Sequence, residues 1–230
     1  MKHTLKALTA ASLMATAQLS GVAFARDTTG SATPIASTAS AATTREPQQH
    51  FVDVVDAMAK RDYKAAATEI RRAADYMRRE AGRATGDARL EIDRSVTELD
   101  RLAYAVEKGA VRDEKSVDGV FARADHALAL TDRARAVQSW THREYAEAGD
   151  ELKRAGYELK SAAGWAGTKA TVGASAVAAG TEALGDKLAT GASWTRAEVA
   201  RGFDALGREL DQLGHEIGGK HSNEPARSGA

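Results

Sequence analysis

The chain of 230 residues has no cysteine. Disulfides, thiolate metal sites, a cysteine nucleophile and a lipid-modified N-terminal cysteine are therefore excluded. Proline occurs only at Pro34, Pro47 and Pro225, so nothing from Gln48 to Glu224 need break a helix on that account. Phe, Tyr and Trp make up 5% of the residues, which leaves few large side chains for a core. An excess of charge is lacking too, with 32 Lys and Arg against 32 Asp and Glu. Without a basic surplus, nucleic acid is not expected as a partner, because neutralising phosphates takes a basic face. There is no Gly-x-Ser-x-Gly elbow and no glycine-rich loop leading into Lys-Ser/Thr, so nothing suggests nucleophilic catalysis or phosphate cradling. The uncharged stretch from Ala170 to Thr181 follows Lys169 and is too short to span a bilayer.

The N-terminus reads as an address rather than as structure. Lys2 and Lys6 precede the apolar run Ala7–Ala17, and Ala23-Phe24-Ala25 is an A-x-A cleavage signal. Residues 1–25 are thus expected to be a secretory signal peptide, with export to the periplasm or the exterior and a mature chain starting near Arg26. Its removal takes away Lys2 and Lys6 and no acid, leaving 30 basic against 32 acidic residues. Residues 26–49 are rich in Ala, Ser and Thr, hold two prolines and show no period, as in a disordered linker.

Alanine is what the chain has in abundance, at 50 of 230 residues. High helix propensity throughout points to an all-α, multi-helix antiparallel bundle of five to six helices over residues 50–218. A flexible tail is expected at 219–230. Within the bundle, Phe51, Val54, Val55 and Met58 mark a short first helix, and Asp62 is placed to cap a second carrying Tyr63, Ala66, Ile70, Ala73 and Met77. The segment Ala57-x-x-x-Arg61-Asp62-Tyr63-x-x-Ala66 resembles the turn of a tetratricopeptide-type helical hairpin, with Arg61 where that family has glycine. No recurrence at that family's period of about 34 residues follows, so no solenoid is implied. Asp87 is a candidate cap for a helix through Ile92, Val96, Leu99 and Ala103 that ends at Gly109, and Val117, Phe121, Ala124 and Leu128 mark the next. The confused face of 131–139 predicts a turn or kink.

The most conspicuous pattern then begins. Tyr145, Gly149, Leu152, Gly156, Leu159, Ala163, Ala166, Ala170, Gly173, Val177, Gly180 and Leu184 recur at alternating steps of four and three. A seam of this kind predicts one unusually long Ala/Gly-rich helix from near Trp140 to about 190, with a break near Gly164–Gly173 left open. Thr195 and Glu198 form a capping box for a last helix, Trp194 is placed to staple onto Val199, and Leu206, Leu210, Leu213 and Ile217 continue its seam. Large residues on this helix and small ones on the second half of the long helix predict close antiparallel packing between them.

Functional candidates are few. His126, His142 and Glu144 are candidate metal or haem ligands. On one straight helix the two histidines would stand about 24 Å apart, so only a turn between them would let them share an ion. Trp140, Trp165 and Trp194 are candidate partner or lipid contacts, though in an Ala-rich bundle tryptophans also plug core ends. Glu147, Asp150 and Glu151 among Lys153 and Arg154 read as ion pairs on a solvated face. Mixed-charge, Ala/Gly-rich helices are similar in composition to those of apolipoproteins and desiccation-protection proteins. The expected function is that of an exported, non-catalytic helical-bundle protein with a structural, adaptor or envelope stress-protective role and no cofactor. A protein partner or self-association fits this reading. The alternatives are reversible lipid-surface or hydrophobic-client binding by the long helix, and histidine-based metal or haem binding.

Overall fold

The computed structural model describes residues 46–219 except Glu114. The expected signal peptide, nearly all of the linker and the tail beyond Gly219 lie outside the described residues. Those that are described belong to one compact unit. They form seven helices and no strand, packed with antiparallel neighbours: α1 Glu46–Ala59, α2 Tyr63–Ala81, α3 Gly86–Glu107, α4 Lys115–His142, α5 Tyr145–Ala166, α6 Thr168–Thr190 and α7 Arg196–Gly219.

Local chemistry accounts for most of the boundaries. Helix α1 starts at Glu46, four residues before the expected His50. Pro47 falls in its first turn, where a missing N–H has no intrahelical partner to lose. Between α1 and α2, Arg61 takes a left-handed backbone (φ 60). Its N–H bonds to the Met58 carbonyl at 2.8 Å and that of Asp62 to Ala57 at 2.9 Å. This is the helix-ending motif that glycine usually fills. The Asp62 carboxylate then accepts from the Ala65 N–H at 3.0 Å, as the sequence predicts. Gly109 ends α3 as expected. Thr85, not Asp87, occupies the position before α3, and Asp87 lies in its first turn. At the start of α7 the Glu198 N–H donates to Thr195 Oγ1 at 3.1 Å. The Glu198 carboxylate in turn accepts from the Thr195 backbone, completing the box.

Two expectations are corrected in the second half. Helix α4 runs through 131–139 without a turn. The reversal comes at Arg143 (φ 67), whose N–H reaches the Trp140 carbonyl while that of Glu144 reaches Ser139. The face of 131–139 looked confused because Asp132, Arg135 and Ser139 are turned inward with Ala136, which erases the apolar period.

The expected long Ala/Gly-rich helix is two helices, which makes the count among the described residues seven rather than five to six. Gly167, with φ 102, folds the stripe back on itself, so that α5 packs mainly against α6 and α4. A Cβ on Gly149 would stand 2.5 Å from the Gly185 carbonyl oxygen, and one on Gly185 would stand 2.6 Å from that of Gly149. The two backbones touch where the chain has no side chain. Small residues of the stripe therefore mate chiefly with each other rather than with α7. Helix α7 keeps its large residues buried, Val199, Leu206, Leu210 and Leu213 among them, by lying across both α6 and α4.

Two apolar clusters result. One is built by α1–α4 around Phe51, Ile70, Met77, Leu99 and Phe121. The other is built by α4–α7 around Leu152, Leu159, Leu206 and Leu210. Trp165 borders both.

Candidate functional site

Most of the buried ionisable groups are concentrated where the two clusters meet. On α4, Asp125, Asp132 and Ser139 recur every seven residues, and on α5 Glu151, Glu158 and Trp165 do the same. Arg135 and Arg154, three residues after Asp132 and Glu151, complete the stripes. Seven residues are close to two helical turns, so each set lines one face, and the antiparallel pairing turns the two faces into rungs.

At one end Ser139 Oγ donates to Glu151 Oε2 at 2.8 Å. In the middle Arg154 Nε donates to Asp132 Oδ2 at 3.1 Å. Arg135 reaches Glu151 at 3.3 Å through Nε and Glu80 of α2 at 3.0 Å through Nη1. At the other end Asp125 accepts from Ser161 Oγ at 2.5 Å, from Gln48 Nε2 of α1 at 2.9 Å and from the Trp165 side chain. The seam thus ties α1, α2, α4 and α5 together over about 21 Å, the fourteen residues from Asp125 to Ser139.

Five carboxyls (Glu80, Asp125, Asp132, Glu151 and Glu158), none more than 8% exposed, face the guanidiniums of Arg135 and Arg154, with the exposed Arg83 reaching Glu80 at 3.2 Å. Burying that excess of negative charge is costly, and protonation is the least costly relief. Burial pushes the Asp125 carboxyl up to about 7, against the downward pull of its Ser161, Gln48 and Trp165 hydrogen bonds. Glu158 is raised well above the usual range by burial and then by Asp132 and Asp125, with Arg154 opposing. Burial raises Asp132 in spite of Arg154 and Arg135, and raises Glu151 likewise. The Tyr76 phenol is raised by burial and next by Glu158.

Two buried oxygens in the seam have no hydrogen-bond partner: Glu158 Oε2 and Gln48 Oε1. The Gln48 amide can serve Asp125 in either state. Its Nε2 donates to the carboxylate, and once the amide is turned, Oε1 can accept from the carboxylic acid. Asp125 and Glu158 thus hold protons more tightly than free carboxyls do, away from solvent.

The residues singled out from the sequence are distributed differently. His126 is mostly buried on α4, its Nε2 2.9 Å from the Leu210 carbonyl of α7, and burial holds the imidazole below its ordinary pKa. His142 ends the same helix, exposed, with Nδ1 4.0 Å from Glu144 Oε2. His142 and Glu144 are therefore neighbours, whereas His126 stands about 24 Å away along α4. Trp140 and Trp194 meet, with centroids 5.2 Å apart, and Tyr145 lies 5.0 Å from each. Trp165 is elsewhere, edge-on to Phe121 at 5.2 Å and to Phe51 at 6.4 Å. Glu151 and Arg154 belong to the seam and not to a solvated face, which corrects the expectation for that pair. Their spacing was the available signal: polar residues at intervals of seven inside two adjacent helices.

Helices α6 and α7 leave an open groove of about 420 Å³ between them. Ala176, Val177, Gly180, Leu184, Gly202 and Ala205 line it, with Lys187 and Glu198 paired at 2.5 Å at its edge. No helix among the described residues is long and apolar enough to cross a membrane. Comparison with protein-family models, curated proteins and solved structures finds no significant match to this chain.

Proposed function

We propose that the protein is an exported, non-catalytic helical bundle that protects or supports the cell envelope, and that the stress it is suited to is acid. The observation that carries this reading is the sealed carboxyl seam. Its fully buried members, Asp125 and Glu158, bind protons more tightly in the fold than in an unfolded chain. A group of this kind stabilises the folded state most at low pH. The seam groups are buried away from solvent and most bond to one another, which suits conformational stability better than turnover of a substrate. The test is to purify the mature chain from the envelope or culture fluid and follow its helicity and its suppression of client aggregation from about pH 8 to about pH 4. Retained helicity with protection that strengthens on acidification is expected. Unfolding on mild acidification would defeat the reading.

A second reading, binding of a hydrophobic client or a lipid surface, is favoured by the α6–α7 groove and by Val172, which is 80% exposed on α6. Co-sedimentation with neutral and anionic vesicles, together with binding of an apolar helical peptide, separates its two halves. Absence of both interactions would remove it.

A further inference from the structure

A cluster of possible metal ligands lies away from the seam, where α1 meets α2. His50 and Asp53 are three residues apart on α1, so they share one face of that helix. The Asp62-capped turn brings Glu69 of α2 against them, and His50 Nδ1 lies 2.8 Å from Glu69 Oε2. One ligand atom from each of His50, Asp53 and Glu69 lies within 4.8 Å of the other two, and all three residues are half-buried. Donors bound at about 2.1 Å around a tetrahedral ion stand about 3.4 Å apart, so a small side-chain rotation would close this set on an ion.

The carboxylates are also held from behind. Arg72 Nη1 donates to Glu69 Oε1 at 2.6 Å, the oxygen that His50 does not use. Gln49 Nε2 donates to Asp53 Oδ1 at 2.9 Å. Outer partners of this type orient ligands at metal sites.

We infer that His50, Asp53 and Glu69 form a binding site for a divalent first-row transition ion, Zn²⁺ above all, with a fourth position open to water. One imidazole nitrogen and two carboxylate oxygens suit such an ion better than Mg²⁺ or Ca²⁺, which favour oxygen alone. The two carboxylates match the ion's charge, with the exposed Arg72 guanidinium on Glu69 adding one positive charge at the edge, and binding would replace the His50–Glu69 hydrogen bond with two bonds to metal. The ion would clamp α1 onto α2 beside Phe51 and Val54, which anchor α1 in the core.

The test is isothermal titration of the full mature chain with zinc chloride and, separately, magnesium chloride. One Zn²⁺ per chain is expected, weakened at least tenfold in His50→Ala and in Glu69→Gln and unchanged in His142→Ala. Far-UV circular dichroism checks that each variant is folded. Should a variant fail to fold, the visible spectrum of the wild-type chain with Co²⁺ decides: mixed nitrogen–oxygen ligation supports the site, and the spectrum of hexaaqua Co²⁺ overturns it. The assignment is also overturned by the absence of saturable Zn²⁺ binding, by binding that survives both substitutions, or by Mg²⁺ binding as tight as Zn²⁺.

Discussion

Replacing Asp125 with Asn should change how stability depends on pH. The Asp125 carboxyl has a pKa of about 7 in the fold, against 3.8 for the free group. Because the folded state holds the proton more tightly, this group's contribution is fully present below about pH 4 and is lost as pH rises through about 7. The difference of about 3 pH units corresponds to about 4 kcal/mol, an upper figure because a buried site relaxes. Asn cannot ionise. Its carbonyl can accept from two of the donors around Asp125, while the Ser161 hydroxyl rotates or the Gln48 amide turns to accept from its NH₂. Wild type and Asp125→Asn should thus be similar in stability near pH 4, and the variant should be more stable by up to about 4 kcal/mol near pH 8. His126 works in the opposite sense. Its folded pKa is lowered by burial, so its neutral form loses stability as pH falls below the ordinary imidazole value. It is present in both proteins and cancels from the difference. Urea unfolding followed by far-UV circular dichroism across this range measures the effect. Parallel curves for the two proteins would refute the reasoning, as would equal destabilisation of the variant at every pH.

Other outcomes follow from single contacts. Gly149→Ala and Gly185→Ala should each cost about 1–3 kcal/mol or more in chemical denaturation, because the new methyl meets the facing backbone. Gly180→Ala, where nothing lies within 4 Å, should gain about 1 kcal/mol. Arg61→Gly and Arg143→Gly should each raise stability by about 0.5–1 kcal/mol in thermal melts, since both positions hold a left-handed backbone. Arg154→Met should cost about 3–5 kcal/mol near neutral pH by taking the opposing guanidinium from Glu158 and leaving Asp132 with Arg135 alone, at 3.4 Å. That penalty should shrink in acid as the carboxyls take up protons, which unfolding at two pH values would show.

The all-α class, the Asp62 cap, the Gly109 stop and the Thr195–Glu198 box were legible because each depends on groups a few residues apart. The buried α7 seam was legible too, since Val199, Leu206, Leu210, Leu213 and Ile217 are large and strictly spaced. The polar seam was not read, because an apolar stripe is the usual sign of a buried face and here Asp125, Asp132, Glu151 and Glu158 stand in its place. His50, Asp53 and Glu69 were equally hard to see, since Glu69 meets the other two only through the α1–α2 turn.

Residue order alone thus determined that this chain forms helices and where most of them stop, through propensity, capping and the left-handed preference of glycine. Whether Tyr145–Leu184 is one rod or a hairpin was decided in three dimensions. A stripe of small residues fits either, and the reversal at Gly167 together with the Gly149–Gly185 contact near the other end of the helix pair chose the hairpin. The same fold set the protonation of the seam. A carboxyl's affinity for its proton depends on the water and charge around it, and only the packing of α1, α2, α4 and α5 removes that water and leaves the buried carboxyls in excess over the arginines that reach them.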